Sequence, residues 1–520
     1  MDDDHTARDG ISRGGPIDGI EIDRRQGAAP VQRQIYERIR GAILGRALPP
    51  GARLPSSRSL AGQLSVARGT VDAAYQLLAG EGYVVTRGPA GTTVDPQLGD
   101  AAGTASAMAA PGGLAEPRRP AAAARRPPRI AGAPVPDVAV LDRSGAPLPF
   151  QMGLPALDAF PRKLWSRLAA RRARVLPTAS LVYQDPCGLP ALREAIAAYL
   201  RIARGIACGP EQVFVTAGFQ GALGLIARVL LRPGDAVWVE DPGYMLARQG
   251  LALAGARLVP VPVDGDGLDV AAGIARAPDA RFAVVTPSHQ CPLGVTLGLS
   301  RRLALLSWAA AADAWVIEDD YDSEFRYAGR PLPALRSLDA GVGAGAGRVL
   351  YAGTFSKVLF PGLRLGYLVV PEAQLDAFTR ACDTLHPHQS PLAQAVVADF
   401  MAEGHFARHV KRMRLLYAER RAALIEALED AVDGRRIARV EASVGGMHVL
   451  ARLGGGEDDV DLVRRARADG LGPNALTPFA VEATCGPGLL LSFTNLPTKT
   501  VRREVERLRR VIAAGTGRLV

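Results

Sequence analysis

Between Pro149 and the C-terminus, short apolar runs alternate with helical patterns, and each run closes on polar residues. The clearest are VFVTAG (213–218), AVWVEDPGY (236–244), FAVVTPSH (282–289), AWVIEDDY (314–321) and VLYAGTFSK (349–357). A continuous apolar run of this length is a strand buried on both faces, and a series of them separated by helices predicts a mainly parallel sheet in an α/β domain. Ligands in such sheets gather outside the carboxyl ends of the strands. Those ends are where this chain puts its unusual polar residues.

The chain has 520 residues, 48% of them hydrophobic. At roughly 100–200 residues per domain that is two to four units with at least one large core. The text divides accordingly: a polar, Gly-rich 1–17 expected to be disordered, a compact unit over 18–95, an Ala/Pro/Arg-rich linker over 96–147, and a large domain over 148–520. A net charge of +10 favours an anionic partner, with nucleic acid the first candidate. The five cysteines are scattered without a Cys-x-x-Cys, the pattern of reduced thiols in a cytoplasmic protein rather than of a disulfide framework or a metal site. No secretory leader or membrane span is expected from the text.

In the N-terminal unit, VQRQIYERIRGAIL (31–44) has helical spacing and stops at PPG. LPSSRSLAGQL (54–64) opens a second helix with Ser56 as N-cap, and ARGTVDAAYQLLAGEGYV (67–84) a third, ending near Gly80 or Gly82. VVTRGPAGTTV (84–94) reads as two strands around a Gly-rich turn. Together these make a winged helix-turn-helix. Arg68 and Thr70 open the third helix, where recognition helices meet base edges; Arg58 and Arg87 are placed for phosphates, and the wing glycines for close backbone approach. A small protein-interaction module is the other reading of the same pattern.

In the large domain, GTFSKVLFPGLRLGY (353–367) is the most informative stretch. Lys357 follows a buried strand, so its amine can be held partly desolvated, which depresses a lysine pKa and makes a Schiff-base nucleophile. Thr354, Ser356 and Arg364 suit a phosphate dianion. IEDDYDSEF (317–325) ends another strand in acids, of which Asp319, or alternatively Asp320, can pair with a pyridinium nitrogen, and Tyr321 can donate to a phenolic oxygen. Acid runs also bind Mg²⁺ or cap helices. The N–H groups of Gly218, Phe219 and Gln220 form an anion site at a helix start, and Tyr244 ends a strand where its ring could stack on a flat ligand or pack in the core.

Two resemblances cover most of the chain. Residues 30–94 resemble the GntR family of bacterial regulators, which implies DNA contacts from Arg58, Arg68, Thr70 and Gly91; Ala67 stands where that family usually has Ser or Thr. Residues 148–515 are similar to fold-type I aminotransferases in the order phosphate turn, aromatic, aspartate, lysine. That implies pyridoxal phosphate carried by Lys357, with Asp319 on the pyridine nitrogen, Tyr321 on the 3′-oxygen, Tyr244 stacking, and Thr354 and Arg364 on the phosphate. It further implies a homodimer in which Tyr183 reaches the partner subunit's cofactor. The combined layout, with EDPGY, PSHQCPLG, EDDYDSEFRY and GTFSKVLFPGLRLGY, resembles the MocR/GabR regulators. A DNA-binding regulator sensing the cofactor, or an amine or amino acid that condenses with it, is the function this implies; an active aminotransferase with an appended DNA-binding domain is the alternative. Leu490 departs from the arginine that aminotransferases use for a substrate carboxylate, leaving another cation such as Arg248 to take that role, or the cofactor itself to be the effector.

Overall fold

The computed structural model describes residues 22–23, 29–86, 91–96, 145–175, 177–329, 333–339, 347–385, 390–432, 436–454 and 456–514. It contains two compact units, Met1–Arg125 and Arg126–Val520. The expected disordered N-terminus and nearly all of the expected linker lie outside the described residues.

In the first unit, helix α1 (Val31–Leu44) buries Ile35, Tyr36, Ile39 and Ile43, one helical stripe. Helix α2 (Ser57–Leu64) starts where the Ser56 side chain accepts from the Ser59 N–H, and stops at Ser65 in the left-handed region. Helix α3 (Arg68–Gly80) buries Val71, Ala74, Tyr75 and Leu78 against the other two, each large apolar side chain contributing about 1.5–3 kcal/mol. The Tyr75 hydroxyl donates to the Pro55 carbonyl at 2.9 Å, fixing the start of α2 against α3. Strands β1 (Val84–Thr86) and β2 (Thr92–Val94) pair antiparallel, and Arg53 bridges to Thr93. This is a winged helix-turn-helix.

The second unit is built on an eight-stranded sheet of β3 (Val213–Thr216), β4 (Ala236–Asp241), β5 (Arg257–Asp264), β6 (Gly267–Leu268), β7 (Phe282–Val285), β8 (Trp315–Asp320), β9 (Val349–Thr354) and β10 (Gly366–Val369). The spatial order is β3-β10-β9-β8-β7-β4-β5-β6. From β9 through β8, β7 and β4 to β5 every pairing is parallel; β10 runs antiparallel to both neighbours, and β6 is an antiparallel edge. The five runs singled out in the sequence all form strands, each shorter than its run because the polar tail turns away as loop. Apolar clusters cover the sheet, with Phe214, Ile317 and Leu350 in one and Trp238, Ala283 and Val316 in another, as a doubly covered parallel sheet requires. A smaller antiparallel sheet follows: β11 (Ile437–Glu441), β12 (His448–Leu453), β13 (Asn474–Ala475) and β14 (Gly488–Ser492), in the order β11-β12-β14-β13.

Inserting β10 between β3 and β9 has a local price. A Cβ on Gly366 would stand 2.8 Å from the Gly218 Cα, so the two backbones touch and the position admits only glycine. That contact sets the turn after β3 beside the loop that carries Arg364.

Candidate functional site

A cavity of about 240 Å³ opens at the carboxyl ends of β3, β8 and β9. It gathers every residue expected there within one chain: Gly218, Phe219 and Gln220 from the turn after β3, Tyr244 from the turn after β4, Asp319 and Tyr321 from the end of β8, and Thr354, Ser356, Lys357 and Arg364 from β9 and its loop. Tyr183 does not line it; its side chain is 95% exposed, beside the exposed Val175, Leu181 and Val182.

Lys357 donates from Nζ to the Gly153 carbonyl at 3.0 Å. Burial pushes its pKa down, opposed by Cys291, Asp322 and Asp319. Gly153 has φ +84°, and a Cβ there would approach the amine to 3.1 Å. Asp319 is 5% exposed, faces the cavity, and has no hydrogen-bond partner among the described residues. Burial, reinforced by Asp320, holds its carboxyl well above the usual range, against the pull of Lys357. Asp320 is differently placed: it takes the Arg204 guanidinium at 2.8 Å, the Tyr351 hydroxyl at 2.5 Å and the Ser323 hydroxyl at 2.9 Å. Of the two acids, Asp319 lines the cavity and Asp320 does not, because strand alternation turns neighbouring side chains to opposite sides. The Tyr321 hydroxyl donates to the His289 carbonyl at 3.0 Å and lies 3.0 Å from His289 Nδ1. His289 in turn contacts Asp322 at 3.1 Å and the Ser443 hydroxyl at 2.9 Å.

At the other end of the cavity, Gly218 (φ +75°) is the N-cap of helix Phe219–Leu230, so the helix's first N–H groups and the positive end of its dipole face inward. Arg364, itself left-handed at φ 53°, donates to the Ala217 carbonyl at 3.0 Å and arches over Gly218. The Thr354 hydroxyl accepts from the Ser356 N–H at 3.1 Å. Gln220 Nε2 is buried with no hydrogen-bond partner among the described residues. A cation, hydroxyls and converging N–H groups make this end an anion site.

The remaining wall was not read from the sequence. Met152 and Gly153 come from the segment entering the domain, and Met447, His448, Asn474 and Phe479 from the small sheet and its connections. Burial, with His289 nearby, pushes the His448 imidazole down to about 3, so it is neutral. Leu490 is fully buried in a cluster with Met245, Leu450, Leu476 and Phe479. Arg248 is not drawn into the cavity. Its guanidinium donates to the carbonyls of Gly243, Pro478 and Phe479, and burial pushes its pKa down. The Asp241 carboxylate accepts from the N–H groups of Val481, Glu482 and Ala483 at 2.7–2.9 Å. Arg248 and Asp241 thus fasten residues 478–483 to the rim of the large sheet.

On the winged unit, Arg58 and Arg68 are exposed and Thr70 half-exposed. Arg68 pairs loosely with Asp72 at 3.4 Å, both largely in solvent, so the guanidinium is available at little cost. Gly91 has φ +87° and sits against Arg53, whose guanidinium would lie 3.2 Å from a Cβ there; Arg53 had not been singled out. Arg87 lies outside the described residues.

These units are an aminotransferase-type domain and a GntR-type winged helix-turn-helix. The model for aminotransferase class I and II matches residues 167–507, and that for bacterial regulatory proteins of the gntR family matches residues 31–94. The chain is 38% identical to the probable rhizopine catabolism regulatory protein MocR of Rhizobium meliloti, over 94% of this chain and 95% of the other. It is 33% identical to the pyridoxine biosynthesis transcriptional regulator PdxR of Corynebacterium glutamicum, over 93% and 96%. Among solved structures it is similar to LysN, an α-aminoadipate aminotransferase of Thermus thermophilus, with a TM-score of 0.64 and 32% identity, over 71% of this chain and 92% of that one. The chain belongs to the MocR/GabR type of GntR-family regulators, in which a winged helix-turn-helix is joined to an aminotransferase-like domain.

Proposed function

We propose that this chain is a transcription regulator that binds operator DNA through α3 and its wing, holds pyridoxal phosphate in the cavity of its large domain, and responds to a small molecule that enters that cavity. The observation that carries the reading is the cavity's composition: a partly desolvated lysine, a buried carboxylate without a partner, and an anion site, brought together from four separate segments. The residues fit the cofactor. Asp319 would face the ring nitrogen, Tyr244 its flat side, and Tyr321 its phenolic oxygen. The helix start at Gly218–Gln220, with Thr354, Ser356 and Arg364, would take the phosphate. Bound through Lys357, the cofactor supplies an electrophilic carbon and an electron sink. The protein's part is to keep the Lys357 amine desolvated and aimed by Gly153, to present the Asp319 carboxyl to the ring nitrogen, and to hold Tyr321 through His289 and Ser443.

DNA recognition would fall to Arg68 and Thr70, with Arg58 and Arg87 on phosphates and the Gly91 turn close to the backbone. The exposed Tyr183, among exposed apolar neighbours, supports a homodimer in which it completes the partner's phosphate site. No helix among the described residues is long and apolar enough to cross a membrane, and a cytoplasmic location accords with a DNA partner. Turnover as an aminotransferase is the second reading, favoured by the completeness of the lysine–aspartate–anion set.

The purified protein given pyridoxal phosphate should gain a visible absorption band that Lys357→Ala lacks; no band in the native protein would refute the cofactor reading. Binding to the DNA upstream of its own gene should weaken steeply with salt, and Arg68→Ala should weaken it by about 1–3 kcal/mol. Unchanged binding would remove α3 from the interface. Rapid amino-group transfer from a common amino acid would decide for the enzyme.

A further inference from the structure

Two kinds of small molecule fit the proposed reading equally on chemical grounds, an amino acid and a simple amine, and the cavity distinguishes them. We infer that the ligand it accepts is a primary amine with an apolar body and no carboxylate on the carbon that bears the nitrogen. The inference rests on the proposed cofactor site and narrows its ligand class.

An amino-acid carboxylate taken into a closed cavity needs a cation or a fork of donors to replace its water. Among the described residues that line the cavity, the cations are Lys357 and Arg364. Lys357 is the residue that would hold the cofactor, and Arg364 lies over Gly218 at the anion end. Arg248, the other cation considered, does not line the cavity and already donates to the carbonyls of Gly243, Pro478 and Phe479. On the small-sheet side, where β13 and β14 pair Asn474 with Leu490, the wall is mostly apolar and carries no cation: Met152, Met245, Met447 and Phe479 line it beside Asn474 and His448, with Leu490 fully buried behind. His448 uses its Nε2 on the Pro292 carbonyl at 2.9 Å and is uncharged near neutral pH. Carboxyl groups stand at the cavity's middle: Asp319 lines it, and Asp322 and Glu240 are close enough to act on Asp319 electrostatically. Their oxygens can accept from an ammonium group, whereas an entering carboxylate meets no cation among them. An apolar side chain, by contrast, gains from the methionine-rich wall, which adapts to different shapes.

The test uses the full-length protein loaded with pyridoxal phosphate and titrated calorimetrically with matched pairs: isoamylamine against leucine, phenethylamine against phenylalanine, butylamine against norvaline. Each amine is expected to bind at least about tenfold more tightly than its amino acid, the scale of one lost charge-assisted contact. Leu490→Arg should reverse the order within each pair. The native comparison stands alone if that variant does not fold. Amino acids binding as tightly as their amines, or more tightly, would overturn the inference and leave the cofactor reading intact. Binding of neither class by loaded protein would also overturn it, leaving the cofactor itself as the signal. A protein that never takes up pyridoxal phosphate would sink the underlying reading and the inference with it.

Discussion

Asp319→Asn separates two roles that one carboxylate plays with opposite sign. The side chain is buried, faces the cavity, and has no hydrogen-bond partner among the described residues. Its folded pKa is raised, first by burial and then by Asp320. The native state therefore holds a proton that the unfolded chain has released. Stability contributed by this group is present below the ordinary carboxylate pKa and is lost as pH rises through the raised folded value. Without cofactor, the neutral isostere removes that loss. The variant should be more stable than the native chain near neutral pH and show a flatter dependence on pH above the ordinary carboxylate range. With pyridoxal phosphate the order reverses. Removing one partner of a buried charge pair costs about 2–5 kcal/mol, which is roughly a 30-fold to several-thousand-fold rise in cofactor Kd. Thermal unfolding across pH, with and without cofactor, together with an absorbance titration, reads both effects. A variant that binds cofactor within threefold of native would show that Asp319 does not face the ring nitrogen. One that is less stable than native in the cofactor-free state would show that the carboxylate is not under strain.

Further outcomes follow from single residues. Ala67 caps α3 with no side-chain hydrogen bond, so Ala67→Ser should raise the stability of the winged unit by about 1 kcal/mol, seen as a higher denaturant midpoint at unchanged slope. Because burial lowers the Lys357 pKa, the rate of cofactor uptake at subsaturating concentration should rise with pH and level off below the ordinary lysine value of about 10.4; a rise that continues to that value would mean the amine is solvated. At Gly153, alanine meets both the positive φ and the amine at 3.1 Å. Gly153→Ala should cost about 1–2 kcal/mol and slow uptake, whereas unchanged stability and uptake would show that the amine is not positioned from this side.

The elements that the sequence made readable are those whose signals are local. Ser56 as a cap, the apolar stripe of α1, and the polar tails of five buried runs each act within a few residues, and each is found at its expected place. Lys357, Asp319 and the Gly218 turn were legible for the same reason: each sits at a strand end, where loop chemistry interrupts an apolar pattern. What could not be read was long-range. That β10 enters antiparallel between β3 and β9 depends on the pairing of Gly366 with Thr216 and Thr354, and nothing in GYLV states it. Met447, Asn474 and Phe479 look like core residues because their patterns are core patterns; only the fold brings their sheet over the cavity. Arg248 shows the converse. It looked available because its acceptors, the carbonyls of Pro478 and Phe479, lie some 230 positions away.

The fastening made by Asp241 and Arg248 bears on time rather than on affinity. The wall that carries Phe479 can swing away from the large sheet only if three N–H bonds to Asp241, the Arg248 contacts to two carbonyls, and the Gly243 bond to Phe479 are broken. A ligand behind such a clasp leaves no faster than the clasp opens. If the cavity takes the ligand proposed for it, occupancy would outlast a brief pulse, a short-term memory whose length is written in the hydrogen bonds of the clasp.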